Sequence, residues 1–350
     1  MAASRSKSWL PVILVVLTAV LGPWLMRPPS TQKTLTIYCA HDSVFADAIL
    51  RDFERETGIQ VDVRYDEEAN KSLGLTNLLL TEKSSPRCDV FWNNQAHGTI
   101  RLAEAGVLDE CPAELFERFP DAFRDPKNRW CGFGGRLRVY AVNVEKMAAV
   151  EDAIVERLNA NDLSRVAIAV PLFGTTLTNY SVLAETMGLD ELKAWHNSIH
   201  QRGIREVRGN GAVKDLVAAG ACDFGLTDTD DAFAAIDAGK PVEMLPVRTP
   251  DRRTICIPNT VALIKGAKHP EEAKRFIRYL LSEVTERKLA ESSSRQVPLG
   301  KLSDAGREAL PKQVLPLMQW AAESVSVSTG AAEDAAVLEW LTGLYKGREQ

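Results

Sequence analysis

The chain has 350 residues, 45% of them hydrophobic and 25% charged, with a formal net charge of −5. That length is ample for a large core, divided most simply between two domains. No strongly basic block occurs anywhere, so nucleic acid is not an expected partner.

The N-terminus carries the first topological signal. Arg5 and Lys7 precede the uncharged apolar stretch SWLPVILVVLTAVLGPWLM, which Arg27-Pro28-Pro29 closes. A basic start followed by an apolar run of membrane-spanning length predicts export, with an uncleaved signal anchor as the leading reading. A cleaved signal peptide comes next, although GPWLMRPPS offers no small-x-small cleavage site. A buried core helix is the structural alternative. No cysteine follows the segment to take a lipid. Residues 1–30 are therefore read as signal anchor or signal peptide, with the rest of the chain outside the cytoplasm.

Export permits disulfides. Cys111 and Cys131 bracket the Pro-, Asp- and Arg-rich loop CPAELFERFPDAFRDPKNRWC and form the expected bridge. Cys39, Cys88, Cys222 and Cys256 fall in or beside predicted strands, where a thiol behaves as a small hydrophobe. No pair has CxxC spacing or a nearby histidine, so these cysteines do not predict a structural zinc site.

From Lys33 onward strands and helices alternate. LTIYCA (35–40) reads as a buried strand, SVFADAILRDFERETG (43–58) as an amphipathic helix stopped by Gly58, and IQVDVRY (59–65) as a second strand. SLGLTNLLLTEK (72–83) is helical, CDVFWNN (88–94) a strand, and GTIRLAEAG a short helix. This order predicts a parallel sheet with right-handed crossovers. The Gly-rich GFGGRLRVYAVNVEK then reads as the passage into another domain. There RVAIAVPLFGTT and CDFGLTDT are strands, and TNYSVLAETMG and NGAVKDLVAAG are helices. An extended stretch and a strong helix over 253–283 suggest a return to the first domain, and 302–348 reads as helical. The expected division is a discontinuous first lobe, 33–133 plus 257–350, and a second lobe, 134–256.

In open parallel sheets ligands bind beyond the carboxyl ends of the strands, at helix N-termini. The loops at those positions are CAHDS, WNNQAHG, FGTTLTN, RGNGAV and LTDTDDA. They come from both lobes, which predicts an α/β fold of two hinged lobes facing each other across a cleft.

Taken in order, LTIYCAHDSVFADAILRDFERETGIQVDVRY, PRCDVFWNNQAHGTIRLAEAGVL, GGRLRVYAVN, PLFGTTLTNY and NGAVKDLVAAGACDFGLTDTDD resemble the substrate-binding proteins of bacterial ABC importers. The likeness is to the ferric-iron-binding branch of the extracellular solute-binding family and runs from about Leu35 to Ala321. It implies a type II periplasmic-binding-protein fold that closes over a small ligand and is not an enzyme. It also implies a periplasmic or membrane-tethered location, an ABC permease and its ATPase as partners, and a monomeric state.

Members of that branch hold ferric ion with a His or acidic residue in the first loop, a Glu in the second and two adjacent tyrosines in a late loop. Carried over, the first-loop position corresponds to His41 or Asp42, while the Glu position falls on Asn94. The paired tyrosine positions fall on Asp230 and Asp231, so the phenolates are absent. The resemblance implies no cofactor. It leaves the ligand as ferric iron or another hard metal ion, with or without a synergistic anion, or as a small oxyanion or polar solute.

Each candidate has a structural alternative. Asp228, Asp230 and Asp231 can cap a helix, or can grip a cation together with Asp42. Burying all three without a positive partner would be costly. His41-Asp42 can begin a helix or face the cleft. Gly174, Thr175 and Thr176, and likewise Arg208, Asn210 and Gly211, offer N–H groups and polar side chains ahead of helices. They form either anion cradles or plain turns. Arg136 and Arg138 alternate on a strand and share a face, as anion partners or counter-charges to the aspartates. Asn94 can hydrogen-bond a polar ligand, whereas Trp92 is expected in the core. Tyr140 and Tyr180 are the tyrosines placed to replace the missing phenolates. A sensory or scaffold module with the same fold is the alternative to an importer component. A metal-dependent hydrolase ranks third, because no nucleophile–base pair is recognisable.

Overall fold

The computed structural model describes residues 34–66 and 73–346. The N-terminal apolar segment lies outside the described residues. Among those described, no helix is long and apolar enough to cross a membrane.

The first lobe opens with β1 (Thr34–Cys39), α1 (Ser43–Thr57) and β2 (Gln60–Tyr65). Ala46, Ile49, Leu50 and Phe53 line the buried face of α1 at helical spacing, and Gly58 stops the helix in a left-handed conformation at φ 70°. Next come α2 (Leu73–Thr81), β3 (Val90–Asn93) and α3 (His97–Glu104). Strand β1 pairs in parallel with both β2 and β3. All four residues of β3 are buried, as a strand covered on both faces requires.

The long strand β4 (Trp130–Asn143) carries the chain between lobes. Trp130–Leu137 pairs antiparallel with a later strand of the first lobe, whereas the Arg138–Asn143 part pairs with strands of the second. The second lobe then follows as α4 (Glu151–Leu158), β5 (Val166–Ala169), α5 (Gly174–Met187), α6 (Leu189–Gln201) and β6 (Arg205–Val207). It continues through α7 (Asn210–Ala218), β7 (Phe224–Asp228), α8 (Thr229–Asp237) and β8 (Val242–Pro246). Strand β9 (Cys256–Leu263) returns to the first lobe beside β4. The sheet order is β2-β1-β3-β9-β4-β7-β5-β6, with β8 also on β4. Two adjacent strands, β4 and β9, therefore connect the lobes, and buried aliphatics such as Ile154, Leu163, Val166 and Ile199 form a second core.

The C-terminal part contains α9 (Pro270–Leu280), α10 (Glu283–Glu291), α11 (Asp304–Glu308), α12 (Leu315–Ala322) and α13 (Asp334–Lys346). The helical expectation over 302–348 thus resolves into three helices separated by turns. Gly330 marks one break at φ 84°, and a Cβ there would lie 2.5 Å from the backbone nitrogen of Val182. Helix α13 continues onto the second lobe, where Val337 and Leu341 pack with Leu177, Tyr180 and Leu192. Its first residue is tied to the first lobe: His97 Nδ1 lies 2.7 Å from Asp334 Oδ1, and His97 Nε2 lies 3.0 Å from the Thr329 carbonyl oxygen.

The expected Cys111–Cys131 bridge is not formed; both thiols are free, and all six cysteines are buried. The loop between them is closed by a bidentate ion pair instead, with both guanidinium contacts from Arg129 to Asp125 at 2.8 Å. Asp125 also accepts the backbone N–H groups of Lys127 and Arg129. Cys131 itself stands in β4 opposite Val261, deep in the sheet.

Candidate functional site

The strand-end loops of both lobes converge on one cavity of about 340 Å³. Asp42 enters it after β1 and Asn94 after β3, while Arg136 comes from β4. The second lobe contributes Gly174, Thr175 and Thr176 after β5, and Arg208, Asn210 and Gly211 after β6. Asp228, Asp230 and Asp231 follow at the end of β7. A larger groove of about 730 Å³ runs between α3 and α13, but none of the three second-lobe strand ends opens into it.

Four helices begin at this cavity: α1, α5, α7 and α8. Their N-cap residues are Asp42, Phe173, Gly209 and Asp228, and none makes a side-chain capping hydrogen bond. By contrast, Ser282 and Ser303 cap α10 and α11 in the ordinary way. The helix starts aim partial positive charge at the cavity, which suits oxyanions beside the carboxylates. Gly209, at φ 86° and ψ 161°, occupies a conformation essentially closed to other residues, and open space surrounds it.

The aspartates divide by role. Asp228 holds the N-cap position but turns its carboxylate away from its own helix. It lies 2.7 Å from Nη1 of the fully buried Arg138, and it accepts from Thr175 Oγ1 at 2.6 Å and Asn210 Nδ2 at 3.0 Å. Arg136 Nε lies 3.5 Å away. The charge of Asp228 is thus neutralised internally. Asp230 accepts the backbone N–H of Asp231 at 3.1 Å, and Asp231 accepts the Thr227 hydroxyl at 2.9 Å.

Burial pushes Asp230 up to about 6, with Asp228 adding to the shift and Arg136 opposing it. Burial together with Asp230 and Asp228 pushes Asp231 higher, to about 8. Burial alone would lower Arg136, but Asp230, Asp228, Asp42 and Asp231 outweigh it and hold the guanidinium charged. Oxygens of Asp228, Asp230 and Asp231 lie within 4.8 Å of one another, close enough to share a cation. Asp42 lines the same cavity outside that group.

His41 does not line the cavity. It is buried, stacked on Trp92 at 5.3 Å and 3.3 Å from Gln296 Nε2. Trp92 is in the core, fully buried. Asn94 presents more than its amide, because its carbonyl oxygen accepts from Arg136 Nη2 at 2.9 Å. Neither Tyr140 nor Tyr180 reaches the site. Tyr140 packs edge-on against Phe224, and burial pushes its phenol up to about 12. Tyr180 is buried on α5, with His196 Nδ1 at 3.0 Å from its hydroxyl. Of the two roles the sequence left open for Arg136 and Arg138, Arg138 takes that of counter-charge, to Asp228; the lining contribution of Phe173 escapes the sequence.

Strand-end loops and helix N-termini on either side of the β4–β9 connection thus line one polar cavity of a mixed α/β fold, the arrangement of a small-ligand site. Residues 35–292 match the family described as bacterial extracellular solute-binding protein. The chain belongs to that family, whose members bind solutes and are not enzymes.

Among its relatives, iron uptake protein A1 of Synechocystis sp. is 25% identical over 278 residues, covering 76% of each chain. The major ferric iron-binding protein of Neisseria meningitidis serogroup A is 24% identical over 279 residues, covering 77% of this chain and 82% of its own. The iron-bound HitA of Pseudomonas aeruginosa shares the fold with a TM-score of 0.76 at 20% identity, covering 88% of this chain and 99% of that one.

Proposed function

We propose that the protein is the extracytoplasmic solute-binding component of an ABC importer, and that its cargo is a hard cation accompanied by an oxyanion. One observation carries the reading: carboxylates and uncapped helix N-termini from both lobes line the same cavity. Asp230 and Asp231, with Asp42 from the opposite lobe, supply the oxygen donors that hard cations prefer. The starts of α5 and α7, with Arg136 and Arg208, suit the companion anion. Asp228 takes no direct part, because Arg138 holds it. Ligand contacts made in both lobes favour the closed form, and that gain drives closure. The names of the iron-binding relatives support ferric ion as the cation.

The permease and ATPase are the partners this role requires. The family match favours it over a sensory module on the same fold. An N-terminal anchor would keep the protein at the outer face of the membrane.

Arg136, set among the cavity aspartates, favours one second reading: a small organic solute with an anionic group and no metal. Native mass spectrometry with metal analysis on protein purified without chelator separates the two. Stoichiometric iron or another hard metal, lost in Asp230→Ala/Asp231→Ala, supports the first. Stoichiometric metal that persists in this double variant would refute the assignment to these aspartates. A metal-free bound anion would move the cargo to the second reading.

A further inference from the structure

The second lobe contains a different donor cluster, remote from the cavity wall. His196 and His200 are one turn apart on α6, so their rings project from the same helix face, with centroids 4.3 Å apart. Glu206, on the neighbouring strand β6, completes the group, and one donor atom from each residue lies within 4.8 Å of the others. None of the three lines the cavity.

We propose that His196, His200 and Glu206 form a binding site for a borderline divalent cation, with zinc the best match. Two imidazoles and one carboxylate are a zinc donor set that leaves a fourth position for water. They differ in chemistry from the all-oxygen carboxylates of the cavity, which suit harder ions. Distances agree with this use. His200 Nε2 lies 3.5 Å from Glu206 Oε1, near the edge of roughly 3.3 Å expected between ligands of a tetrahedral zinc ion. That His200 nitrogen is buried and has no hydrogen-bond partner among the described residues. The His200 side chain as a whole retains 17% exposure, so the cluster lies close to the surface.

The surrounding contacts fix the ligands as metal sites require. The Tyr180 hydroxyl lies 3.0 Å from His196 Nδ1, which fixes the orientation of the ring. Trp340 packs edge-on against the same ring at 5.4 Å. The Tyr345 hydroxyl donates to Glu206 Oε1, joining α13 to the site. A bound ion would fasten α6 to β6 and, through Tyr345, hold α13 on the second lobe. The site is therefore a structural clip and not a cargo site.

The test uses the full chain with the cavity silenced as Asp230→Asn/Asp231→Asn, titrated with zinc against a chromophoric chelator. One zinc per chain is expected, with a thermal shift relative to chelator-treated protein. Adding His200→Ala should weaken zinc binding by at least about tenfold and abolish the shift. Its chelator-treated melting temperature and circular dichroism should stay near those of the parent. Glu206→Gln, which keeps an acceptor for Tyr345, should weaken zinc binding in the same way and serves if His200→Ala misfolds. Cobalt should give a visible tetrahedral absorption that both variants lose. No zinc uptake by the cavity-silenced protein would overturn the assignment, as would uptake unaffected by either variant.

Discussion

Arg138 and Asp228 stand directly opposite each other on the antiparallel strands β4 and β7, with 2.7 Å between Nη1 and Oδ1. The arginine is fully buried, and the carboxylate also accepts from Thr175 and Asn210. This pair joins the starts of α5, α7 and α8 beneath the cavity floor. Removing one member leaves a buried charge with no counter-ion. Asp228→Ala should therefore destabilise the protein by about 3–5 kcal/mol, read from denaturant unfolding. An unchanged midpoint would show that the pair is not what holds these helix starts together.

Asp231 predicts an unusual pH profile. Its folded value lies near 8, against an ordinary 3.8, so the folded state keeps a proton that the unfolded chain releases. Stability of the ligand-free protein should fall as pH rises through that window and level off above it. Asp231→Asn should flatten this fall and gain on the order of 2 kcal/mol at pH 8, after allowance for partial exposure. Melting temperatures across pH 4–9 check it, and a variant with the parent's slope would refute it.

The same proton separates the two cargo readings. A cation must displace it, so cation affinity should rise with pH up to about 8. A metal-free anion, repelled once the carboxylates ionise, should bind more weakly across the same range. Calorimetric titration at several pH values distinguishes these trends.

Glu286 is fully buried and accepts the backbone N–H groups of Gly134, Leu299 and Gly300 at 3.0, 2.8 and 3.1 Å, with Arg118 Nη2 at 2.5 Å. Glu286→Ala strips the three backbone donors of this acceptor and removes the counter-ion of Arg118, and should cost about 3–5 kcal/mol. Because the residue is distant from the cavity, ligand affinity of the folded fraction should be retained. A large affinity loss with normal stability would contradict this.

Gly209→Ala forces a side chain into φ 86° and ψ 161° without any steric clash. The strain alone should lower stability by about 1–3 kcal/mol and weaken ligand binding through the start of α7. Gly239→Ala is a less severe control, at φ 68° in open space away from the cavity wall.

Much of the scaffold was readable along the chain. The period of α1, the buried run of β3 and the strand-end placement of GTT, RGN and DTDD follow from local patterning, which needs no knowledge of distant residues. Those same patterns set the cavity loops at the carboxyl ends of strands, and the structure gathers all of them except His41. His41 stands off the cavity because a residue after a strand can turn either way, and Trp92 offers it a stacking face that no local spacing reveals. The Cys111–Cys131 bridge failed for a similar reason: Arg129 closes the loop from within, so the sulfurs need not meet.

What the sequence determined by itself was the order of elements and the kinds of donor each loop carries. Only the tertiary structure decided how those donors are shared. It joined Asp228 to Arg138 across 90 residues, leaving Asp230 and Asp231 to line the cavity, and it placed Glu206 against two histidines of another element. Charge state and pairing depend on distance and burial, and those exist only once the two lobes have packed.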